Sequence, residues 1–502
     1  MVETTSLVDL GSNSARLVVY EFERDRGFWL VDEIREVVRL GSGAARTGEL
    51  SGDAIDRALV ALRTFADFAR ATELPPLRIM ATSAVRTARN RDQFLEAVRA
   101  TGLEIDVLTG EQEAEQGVIA VANSTTLADA WVMDLGGGSM QLSRMRDRRY
   151  ESGTAHPFGA IRATEQFLLT DPPTAGEVAA LEQAVDARLG PVLEEIEASG
   201  LPLVAMGGTV RNLARAIQRR GDYPWKLMHG YRLYTAELDQ LTEQLRTLPV
   251  SRRSRVAGLN PYRADIILAG ALVIRRVLQA ARLDALTISG YGMREGALYQ
   301  EFLDPPHLLE DVRDFHVGNL LWRYPQPPGH TLRVVDLCAQ LFAELQPLHG
   351  YGAAEAGLLR AAARLHDIGK AIHFRDHAKH GAYLLSSAPL PGFDHREQAI
   401  LSLMLRYHRA GKPSRAPYGP LLNDEDGRIV MVLATCLRLA EYLERSRTGR
   451  VRGVRARIEE TVVTLELIAD GEPWVEFWET QKQAPLFESA FARHMRLEIV
   501  PA

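Results

Sequence analysis

The stretch VDLGSNSARLVVY, residues 8–20, constrains the fold of this chain more than any other, because it is close to being repeated. The second copy, MDLGGGSMQL at residues 133–142, places Asp134 125 positions after Asp9. Each copy has an Asp at the end of an apolar run, a Gly/Ser-rich turn and a second apolar run, the pattern of a β-hairpin. The sequence around the copies repeats as well. Residues 7–10, 16–22 and 28–38 read as strands, and 53–70 as a helix with an apolar stripe at Ile55, Leu59, Leu62 and Phe65. A strand at 77–81, a helix ending at Arg99 with Asn90 and Gln93 as its capping box, a strand at 104–108 and a helix from near Glu111 complete the first round. Strands at 131–135, 140–145 and 148–154 then restart it, followed by the strand-turn-helix units LVAMGGTVRNLARA and ALTISGYGMREGALYQ. Two such rounds imply a duplicated α/β architecture with a cleft between its halves.

The turns also carry chemistry. A Gly-rich hairpin can aim several backbone N–H groups into one concavity and so cradle phosphate. In DLGSNS, Gly11 permits the turn while Ser12, Asn13 and Ser14 add donors; in DLGGGS, Gly136, Gly137 and Gly138 let a phosphate approach the backbone beside Ser139. Asp9 and Asp134, at their strand ends, are suited to hold magnesium directly or through water. A hairpin with no ligand is the bland alternative for one copy, and the matched pair argues against it. Arg86 in ATSAVRTARN follows a buried strand and faces the expected cleft. Glu111, Glu113 and Glu115 in TGEQEAEQG open a helix, where acidic side chains also serve simply to complement the dipole.

Composition narrows the function classes. A net charge of −6 argues against a basic nucleic-acid surface. Of 59 basic residues only five are lysine, and local arginine clusters such as Arg252, Arg253 and Arg255 suit a polyanion path. The apolar run at 266–274 is about half a membrane span. Two distant cysteines, Cys338 and Cys436, and no leader pattern at the start give the expectation of a cytoplasmic protein without membrane or nucleic-acid partners.

DLGSNSARL, ATSAVRTARN, TGEQEAEQG, DLGGGSMQL, MGGTVRNLA and GYGMREGAL stand in the order and spacing of the Ppx/GppA phosphatases, and residues 1–302 resemble that family. These are the exopolyphosphatases and guanosine pentaphosphate phosphohydrolases. The resemblance implies an actin, Hsp70 and sugar-kinase-like (ribonuclease H-like) fold. It implies Glu113 as catalytic base, Asp134 as a ligand of catalytic Mg2+, and Arg86 as a phosphate clamp. The two hairpin turns, with Gly208 and Thr209 of the MGGT block, would bind phosphate. Water would then attack in line.

One departure stands out. The family's second turn reads DIGGGSTE, and here Met140 and Gln141 replace Thr and Glu. An amide carries no charge and takes no proton, so magnesium binding at the Gln141 position is expected to be weakened.

The proline-rich stretches near 305 and 325–329 mark a linker. The expected organisation is domain I at 1–125, domain II at 126–302, a linker at 303–329, a helical domain at 330–446 and a small α+β domain at 447–502. RLHDIGKAI makes the helical domain resemble the HD phosphohydrolases, which implies a second metal on His330, His366, Asp367 and Glu441, the last in place of the usual Asp. His377, His380 and His408 are further ligand candidates. By the same resemblance this domain lengthens the substrate channel and forms a homodimer interface. The expected activity is removal of terminal phosphate from inorganic polyphosphate. The alternatives are cleavage of pppGpp, a degenerate sensor that binds polyphosphate or ppGpp, and an actin-like ATPase or sugar kinase.

Overall fold

The structure, a computed structural model, describes residues 1–156 and 158–502. It contains two compact units, Met1–Val312 and Arg313–Ala502.

The first unit holds two sheets. In the first, strands β1 (Glu3–Leu10), β2 (Ala15–Glu23), β3 (Gly27–Glu36), β4 (Arg78–Ala81) and β5 (Asp106–Val107) lie in the order β3-β2-β1-β4-β5. In the second, β6 (Ala130–Leu135), β7 (Met140–Arg146), β8 (Arg149–His156), β9 (Leu203–Met206), β10 (Arg232–Tyr234) and β11 (Ala285–Ile288) lie in the order β10-β11-β9-β6-β7-β8. Apart from the extra edge strand β10, the two orders are the same. Each round runs as two antiparallel hairpins, after which the first strand pairs in parallel with the fourth and the fourth with the fifth.

The match extends to single hydrogen bonds. Gly11 N–H donates to the Ser14 carbonyl at 3.1 Å, and Gly136 N–H to that of Ser139 at 3.0 Å. Asp9 pairs across its hairpin with Arg16, and Asp134 with Gln141. Each sheet buries one alternating set of side chains against helices. Val8, Leu10, Leu17 and Val19 meet Ala58, Leu62 and Phe65 of helix Gly52–Ala71, whose start is capped by Ser51 accepting from Ala54 N–H. Met133, Leu135, Met140 and Leu142 join the core with helices Ala175–Ser199 and Ile267–Ala280. A hairpin alone is marginal in water, and burial worth roughly 1.5–3 kcal/mol per large apolar side chain holds each turn in place.

Some expectations are corrected. Asn90 makes no capping box; its side chain instead exchanges two hydrogen bonds with the Leu50 backbone, at 2.9 and 3.0 Å. Within residues 303–329 the chain forms a 12-residue helix, Val312–Arg323. Ile55 and Leu59 are only half-buried, and alanines 54, 58 and 61 make the closer helix-sheet contact. The apolar run expected at 266–274 is a buried helix, and no helix among the described residues is long and apolar enough to cross a membrane.

In the second unit, helices Pro328–Glu344, Ala353–Leu365, His377–Ser387, His395–Tyr407 and Asp424–Leu443 precede a sheet. Its strands, β12 (Val451–Ile458), β13 (Val462–Ala469) and β14 (His494–Pro501), lie in that order, with two helices crossing from β13 to its parallel partner β14. The outer edge of β12 is covered: Val454 N–H donates to Gln340 Oε1 and Ala456 N–H to Glu344 Oε2, both at 2.8 Å.

Candidate active site

The two Gly-rich turns face one another across a cavity of about 310 Å3. Gly11, Ser12, Asn13 and Ser14 line one side, and Gly136, Gly137, Gly138 and Ser139 the other. They come so close that a Cβ on Gly138 would lie 2.5 Å from Ser12 Oγ, and one on Gly137 3.2 Å from Ser12 Cβ. The glycines are therefore what allows the halves to meet. Asn13 Nδ2 on this wall and Ser83 Oγ beside Gly138 are buried without a hydrogen-bond partner, donors suited to an anion.

Glu113 enters from the first turn of helix Gly110–Ala122, which begins with a capping box of Thr109 and Gln112. That cap fixes the helix phase, so Glu113 is buried on the cavity while Glu111 and Glu115 are exposed. Burial pushes the Glu113 carboxyl up to about 7; the Arg86 ion pair, at 3.0 Å, pulls it back and the Asp134 charge adds to the rise. Asp134 is pushed up to about 6 by burial, with Arg211 opposing and Asp9 adding. Asp9 is raised as well, again chiefly by burial. Asp9 and Asp134 are hard oxygen donors at equivalent hairpin ends, repelling one another inside the protein, and this pair fits a divalent cation such as Mg2+.

The positive charge comes from residues the sequence reading missed. Arg16, Arg35, Arg211, Arg215, Arg263 and Arg294 line the cavity with only three carboxylates, Asp9, Glu113 and Asp134. Burial and neighbouring guanidinium groups lower Arg16 and Arg263 to about 10. Arg294 is raised in spite of burial by Glu295 and Asp9, the latter 4.0 Å away. Arg211 holds the turn after β9, donating to the Gly207 and Gly290 carbonyls at 3.2 and 2.9 Å. Gly207 sits at φ 105°, where a Cβ would lie 2.9 Å from Asp134 Oδ1. A legible signal existed for Arg211 and Arg215, which stand four apart in MGGTVRNLARA, and for Arg16, which stands opposite Asp9. Arg35 and Arg263 had none.

Several expected residues sit elsewhere. Arg86 is not on the cavity wall: it binds Glu113 and the Leu108 carbonyl, one layer behind. Gly208 lines the cavity against Arg263, whereas Thr209 is buried with its methyl toward Gly270. Gln141 is buried, off the lining, and donates to Ser139 Oγ at 3.2 Å. Arg253 of the arginine cluster is buried as a brace, donating to the Leu245 carbonyl, and none of the cluster reaches the cavity. In the second unit His330, His366, Asp367 and Glu441 do converge, joined by His377 and His408 but not by His380.

A repeated sheet of this order, with paired hairpins facing one arginine-lined cavity, defines an actin-like α/β fold. More narrowly, the chain belongs to the Ppx/GppA phosphatase family, phosphoanhydride hydrolases, which matches residues 18–304, with that family's domain III matching 312–483. It is 27% identical over 444 residues to a guanosine-5'-triphosphate,3'-diphosphate pyrophosphatase from Vibrio vulnificus (strain YJ016), covering 88% of this chain and 86% of that one. The solved structure of an Aquifex aeolicus Ppx/GppA family member is 29% identical with a TM-score of 0.50, covering 60% of this chain and 98% of that one. An exopolyphosphatase from Cytophaga hutchinsonii ATCC 33406, 24% identical with a TM-score of 0.56, shares the fold over 60% of this chain and 98% of its own.

Proposed function

We propose that the chain hydrolyses the terminal phosphoanhydride of inorganic polyphosphate. The observation that carries this reading is the cavity itself: six arginines and two N–H-rich turns around one carboxyl near neutrality, with Tyr291 the one aromatic ring among the lining residues. A purely anionic chain gains from every such wall, while a nucleobase asks for apolar or aromatic faces. Guanidinium forks and turn N–H groups hold the terminal phosphoryl oxygens and the spread charge of the loose transition state. Glu113, ionised, accepts the proton of the attacking water, and Arg86 holds that carboxylate in place. Asp9 and Asp134 would hold Mg2+, which neutralises phosphate charge when bound. The second reading, removal of the 5' terminal phosphate of pppGpp, is favoured by the Vibrio vulnificus relative, whose similarity spans both units. Phosphate release from long polyphosphate and from pppGpp, measured side by side with Mg2+, decides between them. A higher kcat/KM on pppGpp would overturn the first reading, and release from neither would overturn both.

A further inference from the structure

Neither Gly-rich turn is held by its hairpin alone. Each is backed by a second segment, and the two backings are joined to one another. Behind the first turn runs the segment 39–43, where Arg39 N–H donates to the Asn13 carbonyl at 3.0 Å and Gly41 N–H to that of Ser12 at 2.8 Å. Behind the second turn stands the start of helix Ala160–Phe167. There Ala160 N–H donates to the Gly136 carbonyl at 3.0 Å and Ile161 N–H to that of Gly137 at 2.9 Å.

These bonds decide where the turns aim. A trans peptide points its C=O and its N–H in opposite directions. Tying four carbonyls to the backing therefore turns the N–H groups of Asn13, Ser14, Gly137 and Gly138 the other way. All four residues line the main cavity, and their N–H groups find no acceptor among the described residues. On the side of the first turn away from that cavity lies a small pocket of about 80 Å3, lined by Arg39, Ser42, Glu165 and Asp265; Asn13 lines both spaces. The first turn is thus not wedged by solid packing from behind, and its bonds to the segment 39–43 set its direction.

The backings come from different halves of the first unit and clasp one another. Gly43 N–H donates to Glu165 Oε1 at 2.8 Å, and Glu165 belongs to the helix behind the second turn. Arg39 Nη1 donates to Asp265 Oδ2 at 2.7 Å and its Nη2 to the Tyr262 carbonyl at 3.3 Å. Tyr262 and Asp265 flank Arg263, one of the arginines of the main cavity. Arg39 itself stands at φ 48°, the left-handed region that a residue with a Cβ rarely enters, and it is held there from both ends, by its N–H and by its guanidinium.

We propose that Arg39 and Glu165 are positioning residues of the phosphatase site: they clasp the two backing segments and so aim the N–H groups of both turns at one phosphoryl group. This rests on the reading of the cavity as a phosphoanhydride site. Neither side chain lines the main cavity, so both act through the backbone they hold. When the clasp opens, the two sets of donors part, and an anion in the cavity meets only one of them.

The test uses the full chain, with Glu113→Gln as the parent so that turnover is slow, and reads the Kd of tripolyphosphate by calorimetry. Adding Glu165→Ala or Arg39→Gln should raise Kd at least about tenfold. Adding Glu165→Gln, which keeps an oxygen acceptor for Gly43, should stay within about twofold of the parent. With Glu113 restored, Glu165→Ala and Arg39→Gln should lower kcat/KM on long polyphosphate by a similar factor and leave the acid limb near pH 7, which belongs to Glu113, where it is. A clasp that only braces the fold would lower Tm with Kd and kcat/KM unchanged, and that outcome overturns the proposal. So does a loss in Glu165→Gln as large as in Glu165→Ala, or a parent that binds no tripolyphosphate. Release of phosphate from neither polyphosphate nor pppGpp by the wild type would sink the enzymatic reading alone, since the comparison of Kd values needs no turnover. Should Glu165→Ala not fold, Arg39→Gln, which removes no backbone hydrogen bond, decides.

Discussion

Glu111, Glu113 and Glu115 carry the same side chain within one helical turn and a half, and burial alone separates them. Only Glu113 is taken out of water, and its carboxyl rises to about 7, where a base is half ionised at neutral pH. The sign follows from its role: if the base must be ionised, kcat/KM rises as pH passes upward through about 7. Glu113→Gln should remove that limb and lower kcat by about 10²–10⁴, with KM changed little, because the isosteric amide still fills the site. A steady-state pH profile checks both, and an unchanged acid limb in the variant rules out Glu113 as the base. Gln141 poses a different question, since it stands directly across the hairpin from Asp134, where side chains share a face of the sheet. Gln141→Glu adds a carboxylate beside Asp134, next to three that already repel one another, a cost that a divalent cation relieves. Half-saturating Mg2+ should fall about tenfold. Superimposable Mg2+ titrations of the two proteins would show that the amide already does what the acid would.

At the scale of elements, the halves of the first unit meet where helix Gly110–Ala122 crosses helix Met293–Phe302. A Cβ on Gly296 would lie 2.0 Å from the Gln116 carbonyl oxygen, a backbone atom that cannot yield without moving the helix. A Cβ on Gly117 would meet only the Met206 methyl and sulfur, at 3.2 and 3.3 Å, the flexible end of a side chain. Gly296→Ala should therefore cost at least about 1–3 kcal/mol, while Gly117→Ala should stay within about 1 kcal/mol, helped by alanine's helix propensity. Urea unfolding of the two variants checks this, and equal midpoints would contradict it. The contrast also marks what a sequence discloses. Both hairpins were legible because turn chemistry is local: an Asp, a Gly/Ser run and flanking β-branched residues announce themselves within ten positions. Their repetition disclosed the duplicated sheets for the same reason. Strand β10 escaped notice because three residues carry no period, and Asn90 misled because its side chain is claimed by Leu50, forty positions away. The arginine wall was the least legible part, since its members come from separate elements and only folding assembles them. The contiguous run at 252–255 is the more conspicuous in sequence, yet its Arg253 braces the last turn of helix Thr235–Thr247. In the second unit, adjacent His366 and Asp367 gave a signal, while the convergence of His330, His377, His408 and Glu441 on them depends on helices packing.

For the molecule as a whole, the first unit's site opposes its stability, and the size of that opposition depends on pH. Asp134 at about 6 and Glu113 at about 7 both lie above their ordinary values of 3.8 and 4.5, so the folded chain holds these protons more tightly than the unfolded chain. That contribution is fully present below about pH 4 and is lost as pH rises through about 7, when three crowded carboxylates ionise in one cavity. The cavity arginines, even those lowered to about 10, stay charged throughout this range and add only a constant. A divalent cation held, as proposed, by Asp9 and Asp134 would bind the ionised form and so return stability where the protons have left. Mg2+ well above its dissociation constant should then raise Tm by about 2–4 °C at pH 8 and by much less at pH 5. Calorimetric scans at the two pH values, with and without Mg2+, provide the measurement. An equal shift at both would mean that the ion acts somewhere other than these carboxylates. In Asp134→Asn, which removes one carboxylate charge from the cavity, the stripped protein should lose less stability between pH 5 and pH 8 than wild type, and most of its response to Mg2+ should be gone.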